Sequence, residues 1–165
     1  MRFIDSISRY SGWVGGGLCC VLVLIIVYSV IMRYIFNAPT IWGYETVIML
    51  GGTIYALSFA YTHWKHAHVR VDIFYSEVSL RKRAVVDVLG ALFAFFPLLA
   101  VLVSSSFIQM RGAWLIGEVS TRGYWYPPLA PFRTIVFIGF CLLAFQAAAQ
   151  FIRDSYFLIR GKAYD

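Results

Sequence analysis

Four long stretches without a charged residue divide the chain, and they decide its fold class. Each is about 20 residues long and mostly apolar, the length that a helix needs to cross the hydrocarbon core of a bilayer. A backbone in lipid must satisfy its own hydrogen bonds, so stretches of this kind cross as helices. We therefore predict an all-α membrane protein with four transmembrane helices over approximately 11–32, 46–64, 88–110 and 134–152.

The connections between these stretches are too short to hold a second domain. They contain no low-complexity run and no Ser/Gly-rich linker. The five tryptophans support the boundaries, because amphipathic rings favour the headgroup level and all five lie at or near predicted span ends: Trp13, Trp42, Trp64, Trp114 and Trp125. The sequence predicts a single transmembrane domain over residues 1–165.

The distribution of basic residues predicts the orientation. Lys and Arg collect in cytoplasmic loops. Ten of the 14 lie before the first span, between the second and third, or after the fourth: Arg2, Arg9, Lys65, Arg70, Arg81, Lys82, Arg83, Arg153, Arg160 and Lys162. We predict that both termini are cytoplasmic (N-in/C-in), and that a short cytoplasmic interfacial segment between helices 2 and 3 meets anionic membrane lipids. The net charge of +6 is thus a topology signal, and no nucleic-acid partner is expected.

Composition and motifs exclude most enzyme classes. Hydrophobic residues make up 61% of the chain and charged residues 13%, against about a quarter charged in soluble domains. No nucleophile, zinc or phosphate-binding motif is present, so we predict no enzyme activity and no cofactor. The first apolar run exceeds the ~7–15 residues of a signal-peptide core and has no small-residue cleavage site, which predicts a retained helix. The cysteines lie within spans and form no CxxC motif, so neither a disulfide framework nor a zinc site is supported.

Several spans carry features that predict how they pack. Gly52, Ala56 and Ala60 form a stripe of small residues that lets another helix approach closely. Gln146 can donate and accept hydrogen bonds across a helix interface, and so can Gln150 one turn later. Pro97 should kink the third helix, because it removes a backbone donor.

Three histidines fall within six residues at a span boundary: His63, His66 and His68. Haem in a helical bundle takes axial ligands from different helices, so we favour a solvated interfacial cluster. A metal site that also uses Asp72 stays open. The spans show neither internal repeats nor paired broken helices around a midplane site, so the chain is predicted to be a partner subunit rather than a transporter on its own.

Three short motifs occur in a fixed order along the chain. They are Arg33 to Asn37 leading to Trp42–Glu45, then Ala67–Asp72, then Trp114–Ser120 followed by Pro127 and Pro128. In this order and topology the chain resembles the small membrane subunit (Q subunit) of tripartite ATP-independent periplasmic (TRAP) transporters. The resemblance covers essentially the whole length.

The resemblance implies a function that the residues alone do not. The chain would be a non-catalytic scaffold in the bacterial inner membrane, partnered by a large TRAP membrane subunit that carries the substrate and sodium sites and by a periplasmic substrate-binding protein. The complex would import organic acids such as dicarboxylates, oxo acids or sugar acids on a sodium gradient, without ATP or a cofactor. The alternative from another class is a quinone- or haem-binding membrane anchor of a redox enzyme, and a third is an assembly factor without transport.

Carried over by motif, the resemblance assigns structural roles to two sets of residues. Arg33, Asn37, Trp42 and Glu45 would cap the first extracytoplasmic connection, where Arg33 and Glu45 are placed to pair. His68, Arg70 and Asp72 would order the interfacial segment. The loop from Trp114 to Pro131 is our candidate contact for the binding protein, through Trp114, Glu118, Ser120, Arg122, Tyr124 and Trp125. A loop packed only on its own bundle is an equally open interpretation.

Overall fold

Four helices account for most of residues 2–65 and 88–160, the residues that the computed structural model describes. They are α1 (Arg2–Tyr34), α2 (Gly43–Trp64), α3 (Phe96–Ile116, preceded by a π-helical turn over Ala91–Phe95) and α4 (Ala130–Arg160). These described residues contain no β-strand. The prediction of an all-α protein is therefore confirmed.

Within the described residues, three helical segments are long and apolar enough to cross a membrane, judged by length and composition: Ile4–Tyr34, Val88–Ile116 and Ala130–Arg153. The helix α2 exists where the sequence predicted it, but its glycines, threonines and tyrosines, with His63 near the end, dilute its apolar residues. Three of the four predicted spans thus have the required character. A fourth crossing by α2 and the N-in/C-in orientation stay predictions.

The helices extend beyond the charge-free stretches. Both α1 and α4 run through charged residues, some of which form ion pairs: Arg153 pairs with Asp5, and Arg133 pairs with Glu118. The charge boundaries therefore mark the apolar part of each helix and not its ends.

The helices α2 and α4 form the centre of the fold. On one side α1 lies along α2, on the other α3 lies along α4, and α2 and α3 make almost no direct contact. A Cβ atom added to Gly139 would lie 2.5 Å from the carbonyl oxygen of Ala56, so α2 and α4 cross with their backbones close together. Ala56 and Ala60 are buried in this crossing, which confirms the predicted small-residue stripe.

A π-helical turn precedes Pro97 in the third helix, and the predicted kink at Pro97 stays a prediction. The turn over Ala91–Phe95 ends two residues before the proline. Pro97 has no N–H to donate, and its ring crowds the carbonyl of Phe93, four residues earlier and inside the turn. A π-helical turn, with its i→i+5 pairing, accommodates that mismatch within an otherwise regular helix.

Candidate functional site

A short hairpin joins α3 to α4 and folds over one end of the bundle. Gly117 ends α3 with φ +61°, in the left-handed region, and the Glu118 N–H then donates to the Ala113 carbonyl at 3.1 Å. Two backbone hydrogen bonds of 2.9 Å close the hairpin, from Ser120 N–H to Pro127 O and from Leu129 N–H to Glu118 O. We call residues 118–129 the hairpin. Its tip rests on the first turn of α2, where Gly123 contacts Glu45.

Glu45 is the most unusual polar residue that the structure describes. Its side chain is only 1% exposed. The Ser120 hydroxyl donates to Oε2 at 2.7 Å, whereas Oε1 is buried and receives no hydrogen bond from any described residue. A Cβ atom on Gly123 would lie 3.1 Å from Oε1, so the absence of a side chain there lets the hairpin close over the carboxylate. A buried carboxylate with one neutral donor is costly to maintain.

A cleft of about 490 Å³ lies beside Glu45. We call it the α2–α3 cleft, because it occupies the gap between these two helices, with α4 as its floor and the hairpin as its roof. Its polar lining consists of Glu45, Ser105, Ser106, Gln109, Ser120, Arg122 and Arg133. Apolar side chains such as Leu102, Phe132 and Phe140 line the rest. Polar and apolar side chains therefore line the cleft together, from the hairpin down to Ser105 and Ser106 on α3.

The Arg133 side chain ties the hairpin to both neighbouring helices. It forms an ion pair with Glu118 at 2.6 Å and donates to the backbone carbonyl of Gln109 at 3.2 Å. Nearby, the Trp114 indole N–H donates to the Thr134 hydroxyl at 2.9 Å. Glu118 lies between Arg111 and Arg122 in the sequence, and its ion-pair partner is on the first turn of α4.

The predicted pair between Arg33 and Glu45 is wrong. Arg33 is exposed at the end of α1, and Glu45 points inward to Ser120. The prediction considered only the short connection between the two residues, whereas the hairpin supplies the carboxylate's donor from 75 positions away. Asn37 has φ +51°, a conformation that Asn tolerates better than most residues, and Trp42 stacks on Tyr28 with ring centroids 6.0 Å apart. These two residues shape the connection from α1 to α2.

The structure separates the residues predicted to contact a binding protein into two groups. Trp114, Arg122, Tyr124 and Trp125 are exposed, and Tyr124 is 87% exposed at the hairpin tip. Glu118 is half-buried in its ion pair. Ser120 is 5% exposed, and its hydroxyl donates a hydrogen bond to Glu45. It therefore cannot form part of an exposed docking surface, and the prediction is wrong for that residue.

A second buried polar cluster lies at the opposite end of the bundle. Gln146 on α4 is fully buried; its side-chain oxygen accepts from the Ser8 hydroxyl at 2.9 Å, and its amide donates to Asp5 at 3.2 Å. Asp5 also pairs with Arg153. We call these four residues the Gln146 cluster. The predicted role of Gln146 across a helix interface is confirmed.

Of the three histidines, only His63 is among the described residues. Its ring stacks on Phe95 at a centroid distance of 5.2 Å. His66, His68, Arg70, Asp72 and the predicted interfacial segment lie within residues 66–87, outside the described part of the chain. Over residues 2–65 and 88–160, no group of three or more His, Cys, Asp and Glu side chains could hold a metal ion.

Sequence reasoning missed the α2–α3 cleft and two of its residues, Ser105 and Gln109. The signal was present, because both are polar residues inside an otherwise apolar stretch. Their position beside the cleft depends on which face of α3 is left uncovered. That face is determined by the packing of α3 against α4 and not against α2.

The family comparison covers most of the chain. The sequence profile of the family described as "Tripartite ATP-independent periplasmic transporters, DctQ component" matches residues 22–156. This range contains Glu45, the hairpin and every residue of the α2–α3 cleft. None of the curated proteins compared with the chain matches it.

Proposed function

The chain belongs to the DctQ component family of TRAP transporters, and on that basis we propose that it is the small, non-catalytic permease subunit of a sodium-driven importer of organic acids. In this role it scaffolds a large membrane subunit that carries the substrate and sodium sites. A periplasmic binding protein delivers the substrate, and the complex resides in the bacterial inner membrane. The family match gives no support to the alternative of a quinone- or haem-binding redox anchor.

One observation carries the scaffold role. In both the α1 span and the α3 span, only 6% of the most apolar window is buried inside the chain, compared with 28% in the α4 span. Helices that are apolar and left uncovered need lipid or other transmembrane helices around them. The fold therefore offers two long apolar surfaces on either side of a firmly packed α2–α4 centre, which suits a subunit whose work is to be packed against.

We further propose that α2 crosses the membrane together with the other three helices, with both termini in the cytoplasm. Its 22 residues span about 33 Å at 1.5 Å per residue, enough for the hydrocarbon core. Its place between α1 and α4 also supports a crossing. Reporter fusions at each terminus and each connection test this orientation. Opposite locations for the two termini would contradict it.

The exposed hairpin tip is our candidate for contact with the binding protein. Under the N-in/C-in orientation it faces the periplasm, and it presents Tyr124, Trp125 and Tyr126 to solvent. We expect Tyr124→Ala to weaken uptake at limiting binding protein while leaving the membrane complex intact. Uptake unchanged at every concentration of binding protein would contradict the contact.

Co-expression with a large TRAP membrane subunit tests the scaffold role directly. A tagged chain should purify with the large subunit in mild detergent, and the complex in vesicles should take up an organic acid only with binding protein and an inward sodium gradient. Failure to form a complex would contradict the scaffold role. Uptake that ignores sodium would contradict the proposed driving force.

A further inference from the structure

The uncovered face of α3 carries two polar side chains beside the α2–α3 cleft. Ser105 and Gln109 lie one helical turn apart, and both are exposed. The Gln109 amide donates to the Ser105 hydroxyl oxygen over 3.4 Å, a long hydrogen bond. The side-chain oxygen of Gln109 receives no hydrogen bond from the described residues. This face of α3 therefore presents an unmet acceptor.

These two side chains lie below the level at which lipid headgroups supply hydrogen-bond donors. At 1.5 Å per residue, Gln109 and Ser105 are about 10 Å and about 17 Å from the end of α3 at Ile116. Trp114 marks that end as the headgroup level. Hydrocarbon offers no donor, so the unmet acceptor of Gln109, whose side chain extends toward Ser105, is costly on this face of α3.

The cleft also borders the unsatisfied carboxylate of Glu45. Its volume of about 490 Å³ leaves room for a large side chain between α2 and α3. Trp64 and Val88, which flank residues 66–87, lie at the opposite ends of α2 and α3 from this cleft. Gln109 on the α3 wall thus presents an unmet acceptor to a space that the described chain leaves open, and the buried Glu45 lies in the opposite wall beneath Gly123.

The charges around the cleft indicate what kind of donor fits. Arg133 is neutralised by its ion pair with Glu118, and the other two charged residues of the lining, Glu45 and Arg122, carry opposite formal charges. A cationic group entering the cleft would leave an excess positive charge in a low-dielectric site, whereas a neutral donor leaves the balance unchanged.

We propose that the α2–α3 cleft receives a neutral hydrogen-bond-donating side chain from a transmembrane helix of a partner subunit. An amide, hydroxyl or indole group enters between α2 and α3 and donates to Gln109 and Ser105, close to Glu45. The inference rests on the proposed scaffold role and deepens it, because it names the face of the chain and the chemistry of the contact.

Cysteine accessibility tests the occupant, with two neighbouring serines as a matched pair. Ser105 lines the cleft; Ser104 is equally exposed but lies outside it and bonds only to the Val101 carbonyl. Ser105→Cys and Ser104→Cys are each made after Cys19, Cys20 and Cys141 are replaced. Labelling by a small membrane-permeant maleimide is timed for the chain alone in detergent, the chain alone in lipid nanodiscs, and the complex with the large subunit in nanodiscs.

We expect the maleimide to react with Ser105→Cys at least about tenfold more slowly in the complex than in the chain alone. In the complex the partner side chain fills the cleft, and the reagent can enter only during the small fraction of time in which the cleft is empty. Ser104→Cys should change much less. Equal labelling of Ser105→Cys with and without the large subunit would overturn the proposal. Full protection in nanodiscs without the large subunit would also overturn it, because lipid would then be the occupant.

A second variant separates a failed contact from a failed fold. Gln109→Leu removes the acceptor oxygen and replaces the amide side chain with an apolar one of similar size. It should leave the melting temperature of the chain alone unchanged and shorten the lifetime of the complex, while Ser104→Leu leaves both unchanged. An unaltered complex lifetime in Gln109→Leu contradicts the contact. Failure of the unmodified chain to form any complex contradicts the proposed function itself, and this inference with it.

Discussion

Each end of the bundle buries polar side chains, but the two ends differ in how fully those side chains are hydrogen-bonded. At one end, the Gln146 cluster joins α1 to α4, and each of its buried polar atoms has a partner. At the other end, a serine again donates to a buried side chain, but the second oxygen of Glu45 has no donor among the described residues. The hydrogen bonds of the Gln146 cluster are therefore satisfied within this chain, whereas those of Glu45 are satisfied only in part by the described residues.

The largest effect is expected from removing the donor to Glu45. Ser120→Ala leaves a buried carboxylate with no hydrogen bond, and we expect a loss of about 2 kcal/mol in the free energy of unfolding. The equivalent change at the other end, Ser8→Ala, should cost less, about 0.6 kcal/mol, because Gln146 keeps its bond to Asp5. Unfolding in mixed micelles by titration with SDS measures both. Equal losses would remove the distinction between the ends.

Gln146→Leu should rank second. It deletes two side-chain hydrogen bonds and strands the Ser8 hydroxyl, at an expected cost of about 1.5 kcal/mol. A double-mutant cycle with Ser8→Ala isolates the coupling between the two residues. A coupling energy near zero would mean that the Gln146 cluster does not act as a joint between α1 and α4.

The Glu118–Arg133 pair should matter less than either buried cluster. Both side chains are about a quarter exposed, so water and salt screen their attraction. We expect Glu118→Gln to cost less than about 1 kcal/mol, and less still at high salt. A loss as large as that of Ser120→Ala, measured in the same titration, would show that the ion pair, and not Glu45, holds the hairpin.

The smallest effect is expected from Glu45→Gln, and it is the sharpest test of the unsatisfied oxygen. The amide keeps an acceptor for the Ser120 hydroxyl and replaces a buried charge that has only one donor. The free energy of unfolding of the chain alone should therefore change by no more than about 0.5 kcal/mol. A large destabilisation would show that Oε1 has a partner in the isolated chain, and the contrast between the two ends would fail.

The sequence was sufficient for the features that depend on local pattern. Charge-free stretches located the four helices of the described residues, the spacing of Gly52, Ala56 and Ala60 predicted a close approach by another helix, and Gln146 was recognised as a residue that bonds across an interface. Each of these follows from composition or from helical periodicity within one segment.

Contacts between residues far apart in the sequence could not be predicted from such patterns. The contact between Ser120 and Glu45 depends on a hairpin whose two backbone hydrogen bonds and left-handed Gly117 turn it back over α2. Charge proximity along the chain favoured Arg33 as the partner instead. The α2–α3 cleft beside Ser105 could not be predicted either, because it exists where α2 and α3 do not pack against each other. That arrangement depends on several segments together and not on the pattern of any one of them.

The π-helical turn before Pro97 has a consequence for how α3 is oriented about its own axis. A turn with i→i+5 pairing accommodates about one extra residue, which offsets the side chains on its two sides by about 100°. Residues 88–90 before the turn are therefore rotated about the helix axis relative to α3, while Phe95 at the end of the turn stacks on His63 of α2 and packs against the cluster of Leu99 and Leu143. The change of phase is confined to the start of the helix, so α3 keeps a single register on α4 from Phe96 to its end.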